Sequence, residues 1–334
     1  MSLPAVDVAL CTHNGAAFIA DQLRSILSQT VLPAQIVLSD DASHDGTVAV
    51  ASRVIQEYHQ RESAPRVAFR VLHNASPLGV VANFQQAILA TTAPLVALSD
   101  QDDIWMADRI SVAIDRLQAR PDVDLVHSNA SLVDADGAMM GSSLFDALGI
   151  TPASIESIHR GDALDLLLRR NLVTGATVVF RRTLVERAFP IPPGWVHDEW
   201  LAMVAAATGG IDVIDEPLIA YRQHGGNQIG VSRLSIAGKL RRMVEPGGAR
   251  NQRLVLRAES LAAWATSSGR VEKGFAHTAG QKLAHERVRA ALGERRLARV
   301  APVISELRTG RYSRFGRGLA DGARDLLQPL KSGQ

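Results

Sequence analysis

Along the first hundred residues, short apolar runs alternate with segments whose apolar positions recur every three to four residues. Residues 5–10, 35–38, 67–72 and 95–98 read as strands, and the intervals carry helical patterns. The first helix places Phe18, Ile19, Leu23, Ile26 and Leu27 on one face, and two more are predicted over 45–58 and 81–90. Strands alternating with helices predict an α/β fold: a mostly parallel, Rossmann-like sheet flanked by helices. Ligands in such sheets bind outside the carboxyl ends of the strands. Polar clusters fall at those ends: Thr12-His13-Asn14-Gly15, Asp40-Asp41 and Asp100-Gln101-Asp102-Asp103.

Further on, residues 123–133 read as one strand and Asp134-Ala135-Asp136-Gly137 as a turn. Residues 141–157 lack periodicity and read as a mobile loop beside the site. A helix is expected around 161–169, a strand over 177–181, and a proline-rich break at 190–194 before a helix that opens at His197-Asp198-Glu199-Trp200. Short strands are expected at 212–215 and 218–221. Beyond residue 231 the chain turns helical and rich in Ala, Leu and Arg, with breaks at Pro246-Gly247-Gly248 and near Gly269.

The stretch after the fourth strand concentrates the chemistry. Three carboxylates within four residues repel one another, and no Lys or Arg lies between Arg70 and Arg109. An N-cap or an acidic first helical turn, with the helix opening near Trp105, would need one acid rather than three. A hard divalent cation completed by substrate phosphates fits the cluster. Neither G-x-G-x-x-G nor G-x-x-x-x-G-K-[ST] occurs, which counts against a dinucleotide-dependent dehydrogenase or a P-loop ATPase.

Charge divides the chain. Residues 231–334 hold 21 Lys and Arg against 8 Asp and Glu, and the first 230 hold 15 against 26. Every lysine lies after residue 230, so the boundary is expected there: 1–230 as catalytic domain and 231–334 as a basic helical region. Solvated helix faces account for most such charge. A surface for anionic lipid headgroups or a subunit contact, including a homo-oligomer, are the functional readings. Nucleic acid is disfavoured because aromatic residues are sparse in the basic stretches. A single cysteine, Cys11, excludes a disulfide framework and fits a reducing, cytoplasmic setting. No signal-peptide pattern or membrane-spanning run is present in the sequence.

Five motifs in order resemble the family 2 inverting glycosyltransferases of GT-A fold: Thr12-His13-Asn14-Gly15, the run from Ser39 to Thr47, Ser99-Asp100-Gln101-Asp102-Asp103-Ile104-Trp105, His197-Asp198-Glu199-Trp200, and Tyr221-Arg222-Gln223-His224-Gly225-Gly226-Asn227. The Asp-Gln-Asp-Asp-Ile-Trp form and the Tyr-Arg-x-His-x-x-Asn ending resemble the bacterial rhamnosyltransferase-like branch that builds surface polysaccharides such as lipopolysaccharide. The resemblance covers about residues 5–230.

It implies that Thr12, His13, Asn14 and Asp41 hold the base and ribose of a pyrimidine nucleotide-sugar, dTDP- or UDP-linked, with Asp100 on the ribose or a metal-bound water. It implies further that Asp102, joined by His224, binds Mn²⁺ or Mg²⁺, and that Asp198 is the general base. The same resemblance leaves Asp103, Trp105, Glu199, Trp200 and Arg222 around donor and acceptor, with Glu199 a rival base and the role of His197 open. Trp195 is a further candidate for sugar stacking, with core packing as the alternative for each tryptophan. The acceptor would be a glycan or a lipid-linked glycan, and the enzyme would work in the cytoplasm, peripherally on the inner face of the membrane. Two rivals stand beside this reading: a sugar-phosphate nucleotidyltransferase, which would need a glycine-rich basic N-terminal loop absent here, and a non-catalytic nucleotide-sugar or glycan-binding subunit.

Overall fold

The computed structural model describes residues 3–224, 248–269, 271 and 274–329. The expected boundary at 230/231, the Gly225-Gly226-Asn227 end of the last motif, Arg241-Arg242 and the Pro246-Gly247 break lie outside the described residues. The chain divides into two compact units. The first holds Met1–Gly161, Val173–Ile191 and Val196–Val231, and the second holds Asp162–Leu172, Pro192–Trp195 and Ser232–Gln334. The composition shift carries no sign of the two short excursions into the second unit.

The first unit is built on one nine-stranded sheet. Strands β1 (Val6–Thr12), β2 (Gln35–Asp40), β3 (Ala68–His73) and β4 (Leu95–Ser99) lie side by side in the order β3-β2-β1-β4, all parallel. Helices α1 (Ile19–Leu27), α2 (Thr47–His59) and α3 (Val80–Leu89) connect them. Every residue of β1 is buried, as expected of a parallel strand between two neighbours and covered on both faces. The helix faces that do the covering are apolar by spacing: Ile19, Leu23, Ile26 and Leu27 of α1 are all in the core.

The remaining elements are β5 (Ile104–Trp105), α4 (Arg109–Ala119), β6 (Leu125–Val133), β7 (Met139–Ser143), α5 (Leu144–Leu148), α6 (Pro152–His159), β8 (Val178–Arg181), α8 (Val185–Ala188), α9 (His197–Thr208) and β9 (Ile211–Arg222). Helix α7 (Ala163–Arg169) belongs to the second unit. The sheet continues β4-β8-β6-β9-β5, with β8 antiparallel to both neighbours, β9 parallel to β6, and β7 paired to β6 off this path. Six of the nine strands therefore run one way, as the sequence led us to expect.

Three expectations change. Residues 141–157 are not a structureless loop: β7, α5 and α6 order them. A capping box between Ser143 and Asp146 starts α5, and Thr151 caps α6 with Pro152 in its first turn. The two short strands at 212–215 and 218–221 are one strand, β9, whose pairing to β6 shifts register near Asn129. No helix opens at Trp105. Residues 104–105 pair with Ala220 and Ile219 of β9, and α4 begins at Arg109, so the acids sit on a loop between two strands rather than on a helix start.

The second unit also contains α10 (Gly248–Ser267), α11 (Phe275–Ala290), α12 (Arg296–Arg308), α13 (Arg311–Phe315) and α14 (Leu319–Leu327). Part of its basic charge is internal. Arg289 and Arg299 are buried, Arg289 against Asp325 and Glu286, and Arg299 on the carbonyls of Gly293, Glu294, Asp325 and Gln328. Among the described residues no helix is long and apolar enough to cross a membrane.

Candidate active site

Parallel pairing sets Thr12 beside Asp40 and Asp40 beside His73, so the loops after β1, β2 and β3 emerge together. Two of the acids there are committed locally. Asp40 is buried and accepts from Thr12 Oγ1 (2.8 Å), Ser43 N (2.9 Å) and Ser43 Oγ (2.6 Å), with His73 Nδ1 at 3.1 Å. Burial alone would raise its pKa, but the hydrogen bonds from Ser43 and Thr12 and the nearby His73 hold it below the ordinary value. The Thr12 hydroxyl is therefore a buried support for Asp40. Asp41 accepts from the backbone N–H groups of Leu78 (2.6 Å) and Gly79 (2.9 Å) and from Asn74 Nδ2 (3.4 Å). An ionised carboxylate has about four acceptor positions, so capacity remains for one more donor.

The loop after β1 is strapped to the acid loop by a residue that the motif reading passed over. Gln101 accepts from His13 N (2.8 Å) and donates to His13 O (3.1 Å). A Cβ at position 15 would overlap the Gln101 side chain, which is why a glycine stands there. Asn14 takes a left-handed backbone (φ 49°), accepts from His44 N (2.9 Å) and meets His13 Nε2 (3.1 Å), while His13 Nδ1 lies 2.6 Å from Asp41 O. The sequence signal for this strap was the polar residue placed between two acids.

After β4 the acids diverge in environment. Burial, then the charges of Asp102 and Asp198, push the Asp100 pKa up to about 7 against the pull of Arg109. Asp103 is 1% exposed and well above the ordinary carboxylate range, from burial and then from Asp102 and Asp100. Its Oδ1 accepts from Arg222 N at 3.1 Å, and its Oδ2 finds no hydrogen-bond partner among the described residues. Asp103 thus lies beneath the loop and does not face donor or acceptor.

The counter-charge that seemed missing is Arg109. Buried in the first turn of α4, it donates to Leu98 O (3.1 Å) and Ala176 O (2.6 Å), and its guanidinium lies 3.5 Å from the centre of the Trp105 ring. Burial draws its pKa down to about 9 although Asp103 and Asp100 oppose the shift. Trp105 is accordingly a buried platform for Arg109 and not a sugar-stacking surface.

The end of β9 closes the site. His224 Nε2 lies 2.8 Å from Asp102 Oδ2, and its ring stacks on Phe18 with centroids 4.6 Å apart. Arg222 is buried; its Nε donates to Asp102 O (2.8 Å) and its Nη1 to Ala135 O (2.6 Å). It ties the acid loop to the turn after β6. The Tyr221 hydroxyl pKa is raised, by burial first and then by Asp100, Asp103, Asp102 and Asp198.

Asp198 stands in the first turn of α9, after an N-cap taken by Val196. It is therefore not the residue that caps the helix. Its Oδ2 accepts from Gly175 N (2.8 Å), in the 3₁₀ turn before β8, and its Oδ1 from Glu199 N (2.7 Å). His197 is a buried neutral ring stacked 3.9 Å from Phe84, its pKa drawn down to about 3 by burial. Trp200 is a core residue whose indole N–H donates to Ala188 O at 2.6 Å. Trp195, in the second unit, is buried and donates to Arg257 O at 3.0 Å. Glu199 is half-buried beside Asp198. The structure therefore brings Asp100, Asp102, Asp198 and His224 into one electrostatic neighbourhood, with Thr12, Asp103, Trp105, Trp200 and Arg222 buried.

Solved structures with this architecture include S. aureus TarS 1–349 in complex with UDP-GlcNAc, at a TM-score of 0.59 and 14% identity over 96% of this chain and 88% of that one. Another is the Pyrobaculum calidifontis mannosyltransferase PcManGT in complex with GDP-Man and Mn²⁺, at 0.51 and 21% over 98% and 86%. The fold is that of the GT-A glycosyltransferases. Residues 7–177 match glycosyl transferase family 2, and the chain belongs to that family. Relatives include the dTDP-rhamnosyl transferase RfbG of Shigella flexneri, 26% identical over 249 residues that make up 70% of this chain and 78% of RfbG. An uncharacterised Mycobacterium tuberculosis protein is 28% identical over 222 residues, 66% of this chain; the chain spans 59% of that relative's length.

Proposed function

We propose that the chain transfers a sugar, rhamnose as first candidate, from a dTDP- or UDP-sugar to a hydroxyl of a glycan or lipid-linked acceptor, with inversion, in bacterial surface polysaccharide synthesis. The observation that carries this reading is the meeting of Asp102 and His224 at 2.8 Å, with Asp100 and Asp198 near enough that their charges couple. The likeness to a dTDP-rhamnosyl transferase supports the nucleotide and sugar. Asp41, with acceptor capacity left over, would take a uracil or thymine N3–H, and His13 and Asn14 would flank the base.

The donor set fits Mn²⁺ or Mg²⁺. A carboxylate and an imidazole suit Mn²⁺, and the pKa of Asp100, raised by burial first and then by the charges of Asp102 and Asp198, would fall beside a divalent cation. Among the described residues no group of three or more metal-binding side chains forms, so Asp102 and His224 would hold the ion with diphosphate oxygens and water completing its shell. When bound, the ion stabilises negative charge on the leaving nucleoside diphosphate. Asp198 supplies the proton acceptor. Two backbone N–H groups fix its direction, so that it takes the acceptor hydroxyl's proton as that oxygen bonds to the anomeric carbon and the sugar–phosphate bond breaks.

The test is calorimetric titration of UDP, dTDP and GDP, each with and without Mn²⁺, into the intact chain and Asp102→Ala. Metal-dependent binding of a pyrimidine diphosphate, lost in the variant, is expected. Binding of GDP alone would overturn the pyrimidine assignment, and binding of none would overturn the donor site itself.

A further inference from the structure

Helix α12 presents two unlike faces. Arg299, Val303 and Glu306 are buried, whereas Leu297 is 89% exposed, Val300 40% and Ile304 41%, with Ala301 exposed between them. Positions 297, 300, 301, 304 and 308 follow helical spacing, so the outer face is a continuous apolar stripe ending at exposed Arg308. A shallow groove of about 580 Å³ runs along it. Two further large apolar side chains, Leu319 and Leu327 on α14, are also exposed.

The charge around this stripe is mostly positive. Between Arg295 and Pro329 the only acids are Glu306, Asp321 and Asp325, and all three are buried. They are turned inward: Glu306 to His285 (2.6 Å) and Arg311 (2.9 Å), and Asp325 to Arg289 (2.6 Å) and Tyr312 (2.8 Å), while Asp321 accepts from Arg317 N (2.8 Å). Arg295, Arg296, Arg308, Arg314 and Arg317 remain exposed, and Glu294, one residue upstream, is the adjoining exposed acid in sequence. A solvated helix needs no apolar outer face, and a subunit contact needs acids somewhere to match the arginines. An apolar stripe rimmed by arginine and poor in surface carboxylate matches the boundary between lipid tails and anionic headgroups.

We propose that the α12 face is a docking surface for an anionic lipid bilayer, with Leu297, Val300 and Ile304 inserted at headgroup depth and Arg296 and Arg308 on lipid phosphates. The proposal stands apart from the transfer reaction, because it is read without nucleotide or acceptor.

The experiment is co-flotation of the full chain with vesicles of phosphatidylcholine alone or with about one third phosphatidylglycerol, at low and high salt. Partition to the anionic vesicles at low salt is expected, falling at high salt as surface attraction is screened. The exposed-site variant Leu297→Gln/Ile304→Gln should lower partition about tenfold or more, and Arg296→Gln/Arg308→Gln by a comparable factor, since each arginine at an anionic surface is worth about fivefold. Unchanged melting temperatures and unchanged binding of nucleoside diphosphate would show that both variants are folded. Three results would overturn the proposal: equal partition to neutral vesicles or none at all, a sedimenting dimer that Leu297→Gln converts to monomer, or salt-sensitive capture of duplex DNA that survives an excess of anionic vesicles.

Discussion

The acid loop after β4 and the charge network joining α11, α12 and α14 both bury carboxylates, yet their surroundings answer the cost in opposite ways. In the helical unit each buried acid has a basic partner: Glu286 lies 3.1 Å from both Lys282 and Arg289, Asp325 takes two bonds from Arg289, and Glu306 pairs with His285 and Arg311. The pKa values agree. Burial alone would raise that of Glu286, but Lys282 and Arg289 bring it below the ordinary range. In the acid loop, Asp100 and Asp103 both draw on the buried Arg109, both are raised all the same, and Arg109 is itself drawn down. A settled network describes a scaffold; an unsettled one describes a place that waits for charge from outside.

That contrast can be broken by mutation. Asp198→Asn should lower the transfer rate by roughly 10²–10⁴-fold, the range for loss of a general base, while melting temperature barely moves. A large stability loss instead would put Asp198 with the scaffold. Asp325→Ala is the mirror case. Leaving buried Arg289 with Glu286 alone, and without its two bonds to Asp325, should cost about 3 kcal/mol in denaturant unfolding, and donor binding well below the melting temperature should persist.

Acidity separates the regions next. The folded pKa of Asp100, about 7, lies above its ordinary 3.8, so its contribution is full below about pH 4 and is lost as pH rises through 7. Asp100→Asn should therefore gain stability over the parent between pH 5 and 8. His197 runs the other way: drawn from 6.5 to about 3, it contributes fully above pH 6.5 and loses that contribution as pH falls. His197→Phe should resist acid better than the parent. Melting curves at pH 5 and 8 check both, and slopes of the same sign would refute the assignment. The smallest effect is expected for Arg287→Ala, whose exposed pairing with Glu259 at 2.9 Å should be worth at most about 0.5 kcal/mol in chemical unfolding.

Much of the first unit was readable because its signals are local. Periodicity marks β1 to β4 and α1 to α3, and the polar residues at their carboxyl ends mark the cleft. What escaped is long-range or very short. Gln101 reaches His13 across 88 positions, and Gly175 reaches Asp198 across 23. β5 has two residues, too few for any period to register. The order in residues 141–157 was legible in principle, through Ser143 three before Asp146 and Thr151 before Pro152, but cap signals say where helices start and not how apolar they are. The tryptophans stayed open in the sequence because a large ring serves a sugar or a core equally well; Trp105, Trp195 and Trp200 are all buried.

Asp102 and His224 stand 122 residues apart in the chain, joined through the two-rung pairing of β5 to β9. Synthesis from the amino end therefore delivers the acids long before their partner. A ribosome that has released the first four strands has made a cleft with its negative charge in place and neither Arg222 nor the imidazole to close it. On the proposed mechanism, competence waits until the end of β9 has been made and has docked. Fragments that stop short of residue 224 should then fold their parallel core and still be inert.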